Sequence, residues 1–120
     1  MRALVVDDSS AMRAILAMTL KRAGFEVLQA NDGLQALAAL APAPQLDLML
    51  IDWNMPGMNG LELLRRVRQQ PAFATTKVLM VTTETGLNEM SDALVAGADE
   101  YIMKPFTPEI VVGKLRLVGL

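Results

Sequence analysis

Leu48, Met49, Leu50 and Ile51 form an uninterrupted apolar run that stops at an acid, Asp52, and is followed by turn chemistry at Pro56, Gly57, Asn59 and Gly60. A strand exposed on one face alternates apolar and polar residues, whereas consecutive apolar residues suit a strand covered on both faces, as in a parallel sheet flanked by helices. The chain must then leave the sheet in a loop. Asp52 therefore points beyond the carboxyl end of its strand, where open α/β sheets bind ligands. A lone Asp at such a place is more often a turn former, so the rest of the chain decides between the two readings.

The pattern repeats at the N-terminus, where Ala3-Leu4-Val5-Val6 is a second continuous apolar run ending in Asp7 and Asp8. Ser9 and Ser10 can cap a following helix, on which Met12, Ile15, Leu16, Thr19 and Leu20 recur at helical spacing, with Gly24 as its left-handed closing residue. Phe25 to Ala30 is a more polar strand suited to a sheet edge. Asn31-Asp32-Gly33 turns into a second helix lined by Leu34, Leu37, Leu40 and Ala41, which Pro42-Ala43-Pro44 ends. After the Asp52 strand, Asn59 caps a third helix from Leu61 to Gln70. Leu61, Leu64 and Val67 face inward, Arg65, Arg66 and Arg68 mostly outward, and Pro71 stops it. Lys77 to Val81 is a fourth strand, ending at Thr82, Thr83 and Glu84. Leu87, Met90, Leu94 and Val95 give Leu87 to Ala96 a helical pattern closed by Gly97. Tyr101-Ile102-Met103 is a fifth strand ending at Lys104-Pro105, and Pro108 opens a last helix with Ile110, Val111, Lys114, Leu115 and Val118 at helical spacing.

Five strands alternating with five helices predict an α/β fold, a doubly wound parallel sheet with helices on both faces. At 120 residues, 52% of them hydrophobic, the chain is sized for one core, and residues 1–120 read as one domain. Its net charge of −2, with Lys and Arg mostly scattered, offers no basic face for a phosphate backbone, so nucleic acid is not expected as a direct partner. Asp7 and Asp8 interrupt the first apolar run before signal-peptide length, and no run approaches the roughly 18 residues of a membrane span. A cytoplasmic chain with no membrane partner is the expectation.

In a parallel sheet all carboxyl ends lie on one edge, so Asp7, Asp8, Asp52, Thr82 and Lys104 share it. Five strand-end residues of this chemistry are hard to explain as independent turn caps. Carboxylates brought together raise one another's pKa unless compensated, and a divalent cation with Lys104 supplies the compensation. The chain has no histidine and no cysteine. Oxygen-only ligands favour a hard ion, and a few carboxylates, one carbonyl and waters suit octahedral Mg2+ at about 2.1 Å. Such an ion normally accompanies a phosphoryl group. Asp52 can then act as a carboxylate nucleophile forming an acyl phosphate, with Mg2+ and Lys104 neutralising charge on the transferred oxygens and Thr82 offering a hydroxyl.

The segments VVDDSSAMR, LIDWNMPGMNGLELL, LMVTTET and YIMKPFT occur in that order, and with them essentially the whole chain resembles the receiver domain of a two-component response regulator, most closely the single-domain chemotaxis type. The resemblance implies a flavodoxin-like sheet of order 2-1-3-4-5 and places the site residues individually. Asp52 would be the phosphoacceptor. Asp8, Asp52 and the main-chain carbonyl of Asn54 would bind Mg2+, with Asp7 assisting through water. Lys104, followed by a cis peptide at Pro105, would pair with the phosphoryl group. Thr82 and Tyr101 would form the switch, the hydroxyl moving to the phosphoryl group and the ring turning inward. Thr83 and Glu84 resemble positions that tune access of water to it. Such a chain is a phosphoacceptor that assists its own phosphorylation and dephosphorylation rather than an enzyme. Without histidine it carries no phosphohistidine of its own. The phosphoryl group would come from a histidine kinase, a phosphotransfer protein or a small acyl phosphate. Output would follow from docking of a downstream protein on the face of the fourth helix, fifth strand and fifth helix, with the chain a monomer or weak dimer. The alternative is a pseudo-receiver that takes no phosphate and acts as a scaffold or dimerisation module; such a chain normally lacks an acid or the lysine, and all are present here.

Overall fold

The computed structural model describes residues 1–42, 44–83 and 87–120. Five strands, β1 (Arg2–Val6), β2 (Glu26–Ala30), β3 (Leu48–Asp52), β4 (Lys77–Thr82) and β5 (Glu100–Met103), alternate with five helices, α1 (Ser10–Arg22), α2 (Gly33–Leu40), α3 (Gly60–Arg68), α4 (Leu87–Ala96) and α5 (Pro108–Leu117). The strands form one sheet in the order β2-β1-β3-β4-β5, every pairing parallel, which is the flavodoxin-like arrangement expected. β3 lies at its centre with all five residues buried, as its unbroken apolar run requires.

Alternation along the strands sorts the core into two layers. Ala3, Val5, Leu48, Leu50, Leu79, Val81 and Ile102 pack under α1 and α5. Leu4, Val6, Met49, Ile51, Val78 and Met80 pack under α2, α3 and α4. The helix starts follow the expected caps: Ser9, Asp32 and Asn59 side chains accept from the amides of Met12, Gln35 and Glu62. Gly24 and Gly97 close their helices at φ +97° and +111°, a region that L side chains avoid.

Leu16, Thr19, Leu20, Leu40, Leu64, Val67, Val111 and Leu115 are buried as expected, but other positions on the helix faces differ. Ile15, Leu34, Leu94, Val95 and Ile110 are exposed, Ala41 is exposed and Leu61 is only half-buried. Ala17, Ala36, Leu63 and Ala93 are buried instead. The reason is steric. Small residues such as Ala36 and Ala93 occupy core positions, and a reading based on large side chains misplaces the stripe there. Arg68 was expected to point mostly outward, but its side chain is only 18% exposed. It donates to the carbonyl oxygens of Gly97 (3.0 Å) and Phe73 (2.8 Å) and to the Asp99 carboxylate (3.0 Å). That clasp ties α3 to the start of β5 and to an unexpected 3-10 turn at Pro71–Phe73, whose Phe73 is fully buried. Ala43 and Glu84 fall outside the described residues. Among the described residues, no helix is long and apolar enough to cross a membrane.

Candidate functional site

The neighbouring strands β1 and β3 run in register with Val6 opposite Ile51, which sets the residue after each pair, Asp7 and Asp52, side by side at the carboxyl edge. Asp7 is fully buried, Asp52 is 4% exposed and Asp8 is exposed. One carboxylate oxygen from each of the three lies within 4.8 Å of the others. Asp7 is fixed from two sides: its Oδ1 accepts from the Ser9 amide (2.9 Å), and its main-chain oxygen accepts from Arg13 Nη1 (2.8 Å). The expected lysine arrives from β5. Lys104 Nζ donates to Asp52 Oδ1 at 3.0 Å and stands 3.5 Å from Asp7 Oδ2, while the Lys104 amide donates to the Thr82 carbonyl oxygen at 2.8 Å. The Lys104–Pro105 peptide bond is cis.

Among the described residues, the one side-chain cation paired with these carboxylates is Lys104, and the consequences are visible. Burial pushes the Asp52 carboxyl up to about 6, opposed by its hydrogen bond to Lys104 and reinforced by the Asp7 charge. Asp7 Oδ2 is buried and receives no hydrogen bond among the described residues. A buried carboxylate oxygen without a donor, facing two further carboxylates, is short of positive charge, and this cluster can coordinate a divalent metal ion.

The loop after β3 is held close to the sheet. Gly60 opens α3, and its amide donates to the Trp53 carbonyl oxygen at 2.9 Å. A Cβ at Gly60 would collide with the Asp52 carbonyl oxygen and stand 2.9 Å from both Trp53 Cα and Met80 Cε. The helix can begin this near to Asp52 because the side chain is absent.

The structure thus gathers Asp7, Asp8, Asp52 and Lys104, with Thr82, fully buried, at the adjoining end of β4. Asn54 follows in the β3–α3 loop and is exposed, as is Thr83 beside Thr82. Tyr101 stands apart from the acids, in register with Met80, and is 3% exposed, its ring 6.3 Å from that of Trp53 at an interplanar angle of 41°. The Tyr101 side chain is thus buried in this structure. Two residues escaped the sequence reading. Trp53 had no signal beyond its adjacency to Asp52. Arg13 had one: a cation in the first turn of α1 opposes the helix dipole, so it needs a local partner, here the Asp7 carbonyl.

The comparisons with known proteins agree with this geometry. The family model described as response regulator receiver domain matches residues 3–116. The chain is 46% identical over 119 residues to the chemotaxis protein CheY1 of Helicobacter pylori, covering 98% of this chain and 96% of that one. It is 47% identical over 117 residues to a CheY homolog of Campylobacter jejuni, covering 97% and 90% respectively. Among solved structures it is similar to Vibrio cholerae chemotaxis protein CheY4, with a TM-score of 0.91 and 38% identity over 98% of this chain and 97% of that one. Members of this family partner with histidine kinases in two-component signalling. A match that runs from the first strand into the last helix, over an edge that gathers three carboxylates and a lysine, makes this chain a member of the response regulator receiver domain family, a phosphoacceptor module closely related to the CheY-type chemotaxis regulators.

Proposed function

We propose that Asp52 accepts a phosphoryl group from the phosphohistidine of a partner kinase or phosphotransfer protein, and that Mg2+ is the ion of the acid cluster, held by Asp8, Asp52 and the Asn54 carbonyl oxygen, with Asp7 assisting through water. The observation that carries this reading is the buried Asp52 carboxylate, held at 3.0 Å by Lys104 beside an acid cluster short of positive charge. The oxygen-only donor set fits Mg2+. When bound, that ion neutralises charge on the phosphoryl oxygens and on the carboxylates that face them.

Lys104 holds Asp52 Oδ1 and leaves Oδ2 to attack phosphorus. The O–P bond forms as the P–N bond of the donor breaks; the other ring nitrogen of the phosphohistidine carries a proton, so the donor leaves as neutral imidazole, and the ionised Asp52 carboxylate has no proton to lose. Lys104 then moves to a phosphoryl oxygen, and the Thr82 hydroxyl donates to another. This draws Thr82 toward the edge and favours the inward Tyr101 ring, a reading that the burial of Tyr101 supports; phosphorylation shifts a population rather than creating a new state. Thr83 and Glu84, next in sequence, govern access of water to the acyl phosphate and hence its lifetime. Residues 1–120 act as one receiver domain. The signal leaves through the face of α4, β5 and α5, where Lys114 pairs with Glu100 at 3.2 Å, and a downstream protein docks there on a chain that is a monomer or weak dimer.

The test uses a labelled phosphohistidine donor and the emission of Trp53, the chain's one tryptophan. The expected result is Mg2+-dependent label transfer to wild type but not to Asp52→Asn, and a Mg2+-dependent change in Trp53 emission that Asp8→Asn weakens. Label on Asp52→Asn, or transfer indifferent to Mg2+, would contradict the assignment.

A further inference from the structure

Arg13 stands in the first turn of α1, where a cation opposes the helix dipole, and that turn holds no acid to offset it. Among the described residues it forms no salt bridge, although the acid cluster next to it has Lys104 as its paired cation and is short of positive charge. Its guanidinium goes instead to a main-chain oxygen, that of Asp7, at 2.8 Å. A cation placed beside carboxylates and bonded to a carbonyl is used for its reach and geometry more than for its charge.

What that bond holds is the peptide plane before Asp8. A peptide unit is planar, so fixing the Asp7 oxygen fixes the plane that contains the Asp8 amide. The plane after Asp8 is fixed as well, because the Ser9 amide donates to Asp7 Oδ1 at 2.9 Å. Only the two soft dihedrals of Asp8 lie between those planes, and with both planes held, its Cα–Cβ bond has one direction. The Arg13 amide donates to the Ser9 carbonyl oxygen at 2.9 Å, which ties the same turn to the helix that carries the guanidinium. Asp8 depends on this frame because it is exposed, whereas Asp7 and Asp52 are buried and held by packing.

We infer that Arg13 is a positioning residue of the metal site: by holding the Asp7–Asp8 peptide it aims the Asp8 carboxylate at the ion, a role that rests on Asp8 being one of the ion's ligands. Mg2+ demands near-ideal octahedral geometry and Ca2+ accepts flexible coordination, so a ligand set loose is felt more by Mg2+. Charge and geometry predict opposite signs for removal of Arg13. Loss of a cation beside the site tightens the binding of a divalent cation, and loss of the frame behind a ligand weakens it.

Titration of the full chain with Mg2+ and with Ca2+, followed by Trp53 emission, tests this on Arg13→Met, Arg13→Lys, Asp8→Asn and the combination of Arg13→Met with Asp8→Asn, each checked for native circular dichroism without metal. Arg13→Met is expected to weaken Mg2+ binding at least about tenfold and Ca2+ binding by less. Arg13→Lys keeps a donor and a charge, and its Mg2+ affinity should lie between those of wild type and Arg13→Met. On top of Asp8→Asn, Arg13→Met should weaken Mg2+ binding no further, a coupling that lost stability alone would not give. Tighter or unchanged Mg2+ binding by Arg13→Met, or the same loss whether or not Asp8 is present, would overturn the role of Arg13 and leave Asp8 a ligand. Wild-type Mg2+ affinity in Asp8→Asn would overturn the ligand assignment itself, and the role of Arg13 with it.

Discussion

Asp52 is ionised at neutral pH against the preference of its surroundings, and the sign of the resulting pH dependence follows. Folding raises its carboxyl from the usual value near 3.8 to about 6, chiefly by burial. Below the unfolded value both states hold the proton and nothing is lost. Between the two values the folded state keeps a proton that the unfolded state has released. Above about 6 both are ionised and the folded state bears the whole cost, of order 3 kcal/mol. The contribution of Asp52 to stability therefore falls as pH rises across that window. Asp52→Asn should raise the unfolding free energy at neutral pH by about 1–3 kcal/mol, with little gain at pH about 4, measured by urea titration at both. Protonation also competes with metal, so Mg2+ affinity read from Trp53 emission should weaken up to about tenfold per pH unit below about 6. Lys104→Met separates charge from catalysis at the same site. With the cation that pairs with the Asp7 and Asp52 carboxylates gone, Mg2+ should bind more tightly, while phosphoryl transfer to Asp52 slows by about a hundredfold. A fall in both would mean that Lys104 serves only to hold the fold.

At the scale of elements, two contacts hold the site's frame. Gly60→Ala forces α3 away from the end of β3, because its methyl group meets the Asp52 carbonyl oxygen. A loss of about 2–4 kcal/mol is expected in urea unfolding. Arg68→Ala removes bonds to Gly97, Phe73 and Asp99 together, although the Phe73 oxygen keeps the Thr76 amide and Asp99 keeps the Val78 amide, and should cost about 2 kcal/mol without touching Mg2+ binding. These contacts also mark where the sequence stopped being legible. Strand positions and caps could be read because apolar runs and Ser, Asp or Asn before a helix act locally. Helix orientation could be read only in part: Leu16, Leu20, Leu64, Val67, Val111 and Leu115 are buried as expected, but the small buried positions were missed. Ala36 and Ala93 are fully buried in the core between helices and sheet, and small side chains carry little apolar signal in local spacing. Arg68 looked like a solvated charge because two of its three acceptors, on Gly97 and Asp99, come from a distant part of the chain.

For the whole molecule, the site was more legible than the fold that carries it. Asp7, Asp8, Asp52, Thr82 and Lys104 each end an apolar run, and any parallel sheet collects such ends on one edge, whatever its strand order. The order β2-β1-β3-β4-β5 does not follow from alternation of strands and helices; it was implied by the resemblance to receiver domains and is now observed. The order matters, because it makes β1 and β3 neighbours and so puts Asp7 beside Asp52. Tyr101 depends on the same global scale, since its inward ring rests on Trp53 from the loop after β3. The central claim is that this edge makes Asp52 a phosphoacceptor, and intact-protein mass after incubation with acetyl phosphate tests it most directly. Wild type should gain one phosphoryl group when Mg2+ is present, none when it is chelated, and Asp52→Asn should gain none. A gain by Asp52→Asn equal to that of wild type, or no gain by wild type under conditions where Mg2+ binding and transfer chemistry are verified on a related receiver, would contradict it.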